Sequence, residues 1–260
     1  MKFKYIYGPV SSWRLGNSLG IDLLSQERKV CSFNCLYCQL GEETDYSLER
    51  KVYVPTVKII EELKRLPLGQ IDYLTFSGQG ESTLAKNLGE VIKTIRTLRK
   101  EPIAILTNAT LIAQEEVKNE LSLTNFVIAK LDASSQKELN LINKPIPGVK
   151  FDEIYQGIKS FKKEYKGKLA LQMMFIKESN EHLERLAELA LEIAPDEIQV
   201  NTPLRPCQTL PLSKEEIFKI KKFFKKLNSK KLRVISVYDR EHKKIKPLNV
   251  EDTLKRRGKD

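Results

Sequence analysis

Apolar positions along the chain change repeatedly between two periods. Val57, Ile59, Ile60, Leu63 and Leu66 recur at helical spacing until Pro67 stops them. Tyr73-Leu74-Thr75-Phe76 is a short apolar run ending at Gly78, as a buried strand would. Leu88, Val91, Ile92, Ile95 and Leu98 form the next helical stripe, followed by the strand-like run Ile103 to Thr107. A helix is predicted from Gln114 to Leu121, a strand over Phe126 to Ala129, and a helix carrying Ile154, Ile158 and Phe161. Leu169 to Phe175 reads as a strand, and Leu183, Leu186, Leu189, Ala190 and Ile193 as a helix. Ile198-Gln199-Val200 reads as a strand. Ser213-x-x-Glu216 then has the reciprocal side-chain pattern that opens a helix, here one carrying Ile217, Ile220, Phe223, Phe224 and Leu227. Leu232 to Val237 closes the series. With Leu19 to Leu23 as a first strand, six strand–helix units precede a seventh strand. Strict alternation with apolar strands predicts a parallel sheet covered by helices. Residues 1–18 show little helical pattern and are punctuated at Tyr7-Gly8-Pro9 and at Trp13 to Gly16. One domain over residues 1–237 is expected, with a short basic C-terminal extension over 238–260. Within that extension Pro247 to Asp252 opens a last short helix ending at Gly258.

Composition adds a bias toward an anionic partner. The 260 residues carry 45 Lys and Arg against 34 Asp and Glu, a formal net charge of +11. The stretch from Lys219 to Lys231 contains seven lysines and no acid, and the tail adds Lys255, Arg256, Arg257 and Lys259. Nucleic acid, phosphate or a membrane surface would satisfy such an excess; a solvated Lys/Glu-rich surface is the plainer explanation. Hydrophobic residues make up 41%, enough for a core, yet no apolar run approaches the ~20 residues of a membrane span. The opening residues Met1 to Val10 lack the apolar centre of a secretory signal, so a cytoplasmic location is expected.

Three of the four cysteines stand together as Cys31-x-x-x-Cys35-x-x-Cys38. Three thiolates from one loop can hold three corners of an iron–sulfur cluster and leave the fourth iron without a nearby protein ligand. Backbone N–H groups of Ser32, Phe33, Asn34 and Leu36 are candidates to donate to the cluster sulfides. The other reading is structural zinc on Cys31, Cys35, Cys38 and Cys207 in a basic, non-enzymatic nucleic-acid module. Polar residues also follow each predicted strand, where chemistry gathers in parallel α/β folds. They are Ser77-Gly78-Gln79-Gly80-Glu81, Thr107-Asn108, Lys130 with Asp132, Lys177 with Asn180, and Asn201 with Arg205. Gly78 and Gly80 let the backbone turn tightly and approach a ligand. Lys130 and Asp132 suit an ion pair at the rim as well as a binding role. Gln172, Met173 and Met174 lie on one strand, with the face of each set by alternation. His182 and His242 are isolated and read as surface residues.

The cysteine triad, with aromatic Tyr37 before its last member, resembles the signature of the radical S-adenosylmethionine (SAM) superfamily, and Gly78-Gln79-Gly80-Glu81 resembles its glycine-rich SAM motif. Tyr7-Gly8-Pro9-Val10, Lys130-Leu131-Asp132-Ala133 and Asn201-Thr202-Pro203-x-Arg205-Pro206 are similar to the wyosine-type Fe–S oxidoreductases. The resemblance implies a partial (β/α)6 barrel, a [4Fe–4S] cluster on Cys31, Cys35 and Cys38, and SAM chelated by the open iron. It further implies reductive cleavage of SAM to a 5′-deoxyadenosyl radical that abstracts hydrogen from a substrate. An electron donor such as flavodoxin or ferredoxin is implied with it. The cofactor-binding set it suggests is Tyr37 near the adenine, Gly78, Gly80, Glu81 toward the SAM ammonium, Thr107 and Asn108 toward ribose or carboxylate, and Lys130, Asp132, Gln172, Asn201 and Arg205. Family members use further cysteines for a second cluster, and here Cys207 alone remains; Ser82 stands where the family shows proline. The substrate implied is tRNA or another nucleic acid, with a peptide or small molecule as the alternative.

Overall fold

Apolar strands that are each followed by a returning helix have one economical arrangement, with all strands pointing the same way. The structure, a computed structural model, describes residues 3–66, 70–178, 183–226, 232–239 and 245–257. Its main sheet has eight strands. Seven are parallel: β2 (Gly16–Ile21), β5 (Tyr73–Phe76), β6 (Ile103–Thr107), β7 (Phe126–Lys130), β8 (Lys168–Met174), β9 (Glu197–Asn201) and β10 (Arg233–Ser236). They pair in sequence order, with α1 (Thr56–Lys64), α2 (Leu88–Leu98), α3 (Glu115–Leu121), α5 (Phe151–Glu164), α6 (Leu183–Ile193) and α7 (Lys214–Lys226) as crossovers. This is the expected partial (β/α)6 barrel. The cap predicted for α7 is present: Glu216 N donates to Ser213 Oγ at 3.2 Å, and Ser213 N donates to Glu216 Oε2 at 2.7 Å. Pro67, Asn180, His182, Leu227, Lys230, Lys231, His242, Gly258 and Lys259 lie outside the described residues.

The first 18 residues depart from the sequence reading. Residues 6–12 form β1 (Ile6–Ser12), paired antiparallel to β2, with the Trp13–Leu15 turn between them. The expected turn at Gly8-Pro9 is instead an irregularity inside β1, where the register shifts between Tyr7 and Val10. A small second sheet, β3 (Lys29–Cys31) with β4 (Thr44–Tyr46), flanks the cysteine loop.

Strand alternation divides the interior in two. One set of side chains, including Leu74, Ile105, Val127, Leu171, Met173 and Ile198, packs under the helices in the main core. The other set faces the barrel lumen, where Leu15, Ala104, Phe126, Ile128 and Ala170 form a separate small cluster. Leu15 lies in the turn just before β2, Phe126 is the first residue of β7 and Ala104 the second of β6, so this cluster plugs the end of the barrel opposite the strand C-termini. Each fully buried Leu or Phe there contributes roughly 1.5–3 kcal/mol. Chemistry in the lumen is therefore reached from the C-terminal rim.

The basic segment after Val237 returns to the core. Its helix α8 (Val250–Arg257) is capped by Asn249, whose Oδ1 accepts from Asp252 N at 3.2 Å. Thr253 Oγ1 accepts from Gly8 N at 3.1 Å. Arg256 is 3% exposed and its Nε donates to Asp22 Oδ2 at 2.9 Å. The same guanidinium also donates to the carbonyls of Lys4 and Asp252 and to Ser25 Oγ. What reads as a basic tail thus sends one arginine under the first strands of the barrel.

Candidate functional site: the cysteine loop on the strand C-terminal rim

The chain leaves β2 at Ile21 and enters the cysteine loop on the C-terminal rim. The glycine-rich turn after β5 holds the loop on one side. Glu81 N donates to Val30 O at 3.0 Å, and Val30 N donates to Gln79 O at 2.9 Å, making a strand-like rung between Val30 and Gly80. Gly80 has φ +136°, and a Cβ there would lie 1.7 Å from Val30 O. Gly80→Ala therefore combines a backbone conformation foreign to side chains with a backbone clash, and should cost roughly 2–4 kcal/mol in urea unfolding. Gly41, also at positive φ (+85°) but with open space around it, should cost only ~1 kcal/mol on the same substitution. Equal losses at the two positions would remove the claim that Gly80 exists for close approach.

On the other side lies a segment that the sequence reading did not single out. Short helix α4 (Gln136–Glu138) passes into a π-helical turn over Leu139–Asn143, and Lys144 ends it at φ 43°. Asn34 N donates to the carbonyls of Asn143 and Lys144, Leu36 N to Ile142 O at 2.9 Å, and Ile146 N to Ser32 O at 2.8 Å. Asn34 and Leu36, expected to donate to sulfides, thus have their amides engaged by this strap, while Phe33 N donates to Cys31 Sγ at 3.4 Å. A third hold comes from beyond β9, where Gln208 N donates to Leu36 O at 3.0 Å.

The three cysteines are half-buried. Cys31 Sγ also accepts from Asn108 Nδ2 at 3.6 Å, and Cys35 Sγ accepts from Asn143 Nδ2 at 3.3 Å. Burial, with the Glu81 carboxylate adding to it, pushes the Cys31 thiol well up. Burial pushes Cys35 up to about 11, opposed by bonds from Tyr37 and Asn143. Both thiols need a cationic centre to lose their protons, and amide donors already point at their sulfurs. Among the described residues, no three His, Cys, Asp or Glu side chains converge on one ion. Four-cysteine zinc requires such convergence, and Cys207 instead donates to Thr209 O at 3.2 Å. Three thiols on one strapped loop, with donors to sulfur and, among the described residues, no fourth ligand converging on them, fit an iron–sulfur cluster.

The remaining expected residues are all near the rim, and several are held there by contacts within the protein. Glu81 is 3% exposed and engaged internally: Oε1 accepts from Thr83 N, Thr83 Oγ1 and Thr107 Oγ1, and Oε2 accepts from Asn108 N at 2.6 Å. The carboxylate thus ties the turn after β5 to the end of β6. The Thr107 hydroxyl donates to Glu81 Oε1 and accepts from Ala109 N. Asn108 reaches back to the loop, donating to Ser32 Oγ at 2.8 Å as well as to Cys31. Gly78, at φ +148°, lies against Asp22, whose Oδ1 accepts from Gln79 N at 3.3 Å.

Tyr37, Lys130, Asp132 and Asn143 form one polar network. Tyr37 OH donates to Asp132 Oδ2, and Asn143 Nδ2 donates to the same oxygen at 2.9 Å. Lys130 pairs with Asp132 Oδ1 at 3.1 Å, donates to Gln172 Oε1 at 3.3 Å, and lies 4.6 Å from the centre of the Tyr37 ring. Burial and the Asp132 carboxylate hold the Tyr37 hydroxyl well above its ordinary pKa, so it remains a donor. The Tyr37 face expected beside an adenine is thus partly covered by an ammonium. Gln172 points into the lumen, its Nε2 without a partner among the described residues, while Met173 packs in the main core. Asn201 is buried, with its side-chain oxygen on Thr202 N at 3.0 Å. Arg205 Nη1 donates to Gln39 Oε1 at 3.0 Å, bringing it to the residue after Cys38. Among the described residues no helix is long and apolar enough to cross a membrane.

Comparison with known proteins agrees with this geometry. The family model described as the radical SAM superfamily matches residues 29–190. A UPF0026 protein of Synechocystis, slr1464, is 43% identical over 214 residues, covering 82% of this chain and 79% of that protein. A Brachyspira hyodysenteriae protein named GTPase Obg is 36% identical over 98% of this chain, which spans only 38% of that longer protein. The structure of TYW1 with a lysine–pyruvate adduct bound superposes with a TM-score of 0.62 at 16% identity, over 80% of this chain and 73% of that one, a likeness of fold.

Proposed function

This chain belongs to the radical SAM superfamily, and we propose that it holds a [4Fe–4S] cluster on Cys31, Cys35 and Cys38, binds SAM at the open corner, and uses the resulting radical on an anionic substrate, tRNA being the best candidate. The observation that carries the reading is the loop itself: three cysteines fastened to the strand C-terminal rim from three sides, with side-chain amides aimed at two of the sulfurs. When bound, the cluster would supply one electron to the SAM sulfonium, releasing methionine and a 5′-deoxyadenosyl radical that takes hydrogen from the substrate. The chain's part is to hold and shield. The Glu81 carboxylate fixes Thr107 and Asn108 beneath the loop, and the Asn143 strap fixes Tyr37 and Asp132 beside it. The lumen plug excludes water from below.

Support for an anionic substrate comes from charge. Lys219, Lys222, Lys225 and Lys226 are exposed on α7, within a chain of net charge +11. A flavodoxin- or ferredoxin-type donor is the proposed source of the electron, and the cytoplasm the proposed location. Anaerobic reconstitution should load iron and sulfide in equal amounts, turn the protein brown, and yield 5′-deoxyadenosine when SAM and dithionite are added. Zinc binding without iron would sink the reading. Filter binding of total tRNA at two salt concentrations tests the substrate class: a steep fall with salt and no preference over a homopolymer RNA would reduce it to nonspecific charge attraction.

A further inference from the structure

Lys29 is 4% exposed, and among the described residues its ammonium meets no carboxylate. It donates to Asn34 Oδ1 at 2.7 Å and to the carbonyl of Gly41. Lysine is almost never fully buried unless paired, because an unpaired buried charge is costly by several kcal/mol. Its two acceptors are neutral, so the negative charge that would justify its burial is not among its contacts with the described residues. Those acceptors also locate the ammonium. Asn34 lies between Cys31 and Cys35, Gly41 lies three residues after Cys38, and Lys29 shares with Cys31 one side of β3, two residues apart. The ammonium therefore sits against the cysteine loop, bridging its middle to its end.

We propose that Lys29 is the buried countercharge of the iron–sulfur cluster and that its charge eases the cluster's reduction. This rests on the reading above that the loop holds a [4Fe–4S] cluster. Such a cluster with three thiolate ligands carries net negative charge, and uptake of an electron increases it. A fixed cation against the loop stabilises the reduced form more than the oxidised form and so raises the potential. The electron still comes from the external donor; Lys29 neither gives nor takes one. The competing role is a clamp, in which the two hydrogen bonds matter and the charge does not.

The two roles separate in a redox titration of the reconstituted full-length chain followed by electron paramagnetic resonance, with iron and sulfide content measured on each sample. Lys29→Met and Lys29→Gln should displace the reduction equilibrium toward the oxidised cluster at least tenfold, about 59 mV for a one-electron couple. Lys29→Arg should stay within threefold of the wild type. Asn34→Ala, which removes an acceptor and keeps the charge, should also stay close to it. Neutral variants that hold the cluster at the wild-type potential overturn the proposal, as does an Asn34→Ala shift as large as that of Lys29→Met. If neither neutral variant retains iron, Asn34→Ala decides: normal loading supports the charge, and equal failure establishes the clamp. A wild-type chain that takes up no iron and sulfide removes the cluster reading and this proposal with it. A wild-type cluster whose potential ignores residue 29 removes this proposal alone.

Discussion

Alanine at any one of Cys31, Cys35 or Cys38 is expected to lower 5′-deoxyadenosine formation at least roughly a thousandfold, ~4 kcal/mol in activation terms. The size follows from the ligand count. With three ligands from one loop and none converging from elsewhere among the described residues, loss of one leaves a two-point attachment. The fold should survive, because the loop is fastened by backbone bonds at Val30, Asn34, Leu36 and Glu81 that do not involve the thiols. Circular dichroism should therefore match the wild type while the brown chromophore is missing. Cys207→Ser is the control. That thiol donates to Thr209 O, a hydroxyl can do the same, and iron content should be unchanged. A Cys31→Ala protein that keeps a full complement of iron, or a Cys207→Ser protein that loses it, would require a different ligand set.

The cysteine loop, the glycine turn and the seven parallel strands were legible because each is encoded locally. A cysteine spacing, a glycine pair or an apolar run is complete within a few residues, and parallel order follows from the alternation of strands and helices. The contacts that shape the site are not local. Asn143 meets Cys35 and Tyr37 from more than a hundred residues away, through a π-helical turn whose sequence Leu139-Asn-Leu-Ile-Asn143 carries no distinctive spacing. Lys29 stands in plain view beside Cys31, yet nothing in the sequence says that its charge is buried. Glu81 is a finer case. Its presence in the motif was readable, but its partners Thr83, Thr107 and Asn108 come from two strand ends, so only the fold shows that its carboxylate is turned inward. The hairpin of β1 and β2 was hidden for a different reason. Gly8 and Pro9 are turn residues by propensity, and here long-range pairing and a register irregularity hold them within a strand.

Arg256→Met should destabilise the chain by about 3–5 kcal/mol, the usual consequence of removing one partner from a buried ion pair. Asp22 and Arg256 are each 1% exposed at the side chain. Asp22 also accepts from Leu24 N at 3.0 Å and from Gln79 N at 3.3 Å, so its carboxylate joins α8 to the glycine turn under the cysteine loop. Burial raises the Asp22 pKa, and Arg256 pulls it back. Without Arg256 only the Leu24 and Gln79 amides oppose the upward push, and the folded-state pKa stands further above the unfolded value. Folding then takes up a proton. The deficit relative to wild type should be smallest near pH 4 and grow by up to about 1.4 kcal/mol per pH unit as the pH rises toward neutrality. Asn at position 22 keeps a side-chain carbonyl for the two amides and carries no charge. Asp22→Asn with Arg256→Met should therefore recover most of the stability lost by the single change, and its residual deficit should be nearly independent of pH. Urea midpoints at three pH values for the two single variants and the double variant decide the matter. A single Arg256→Met variant within 1 kcal/mol of wild type would mean that α8 is held by contacts such as that of Gly8 N with Thr253 Oγ1 and not by this arginine; a double variant no better than the single would mean that the loss lies in the guanidinium's bonds to Lys4 and Ser25 and not in this pair.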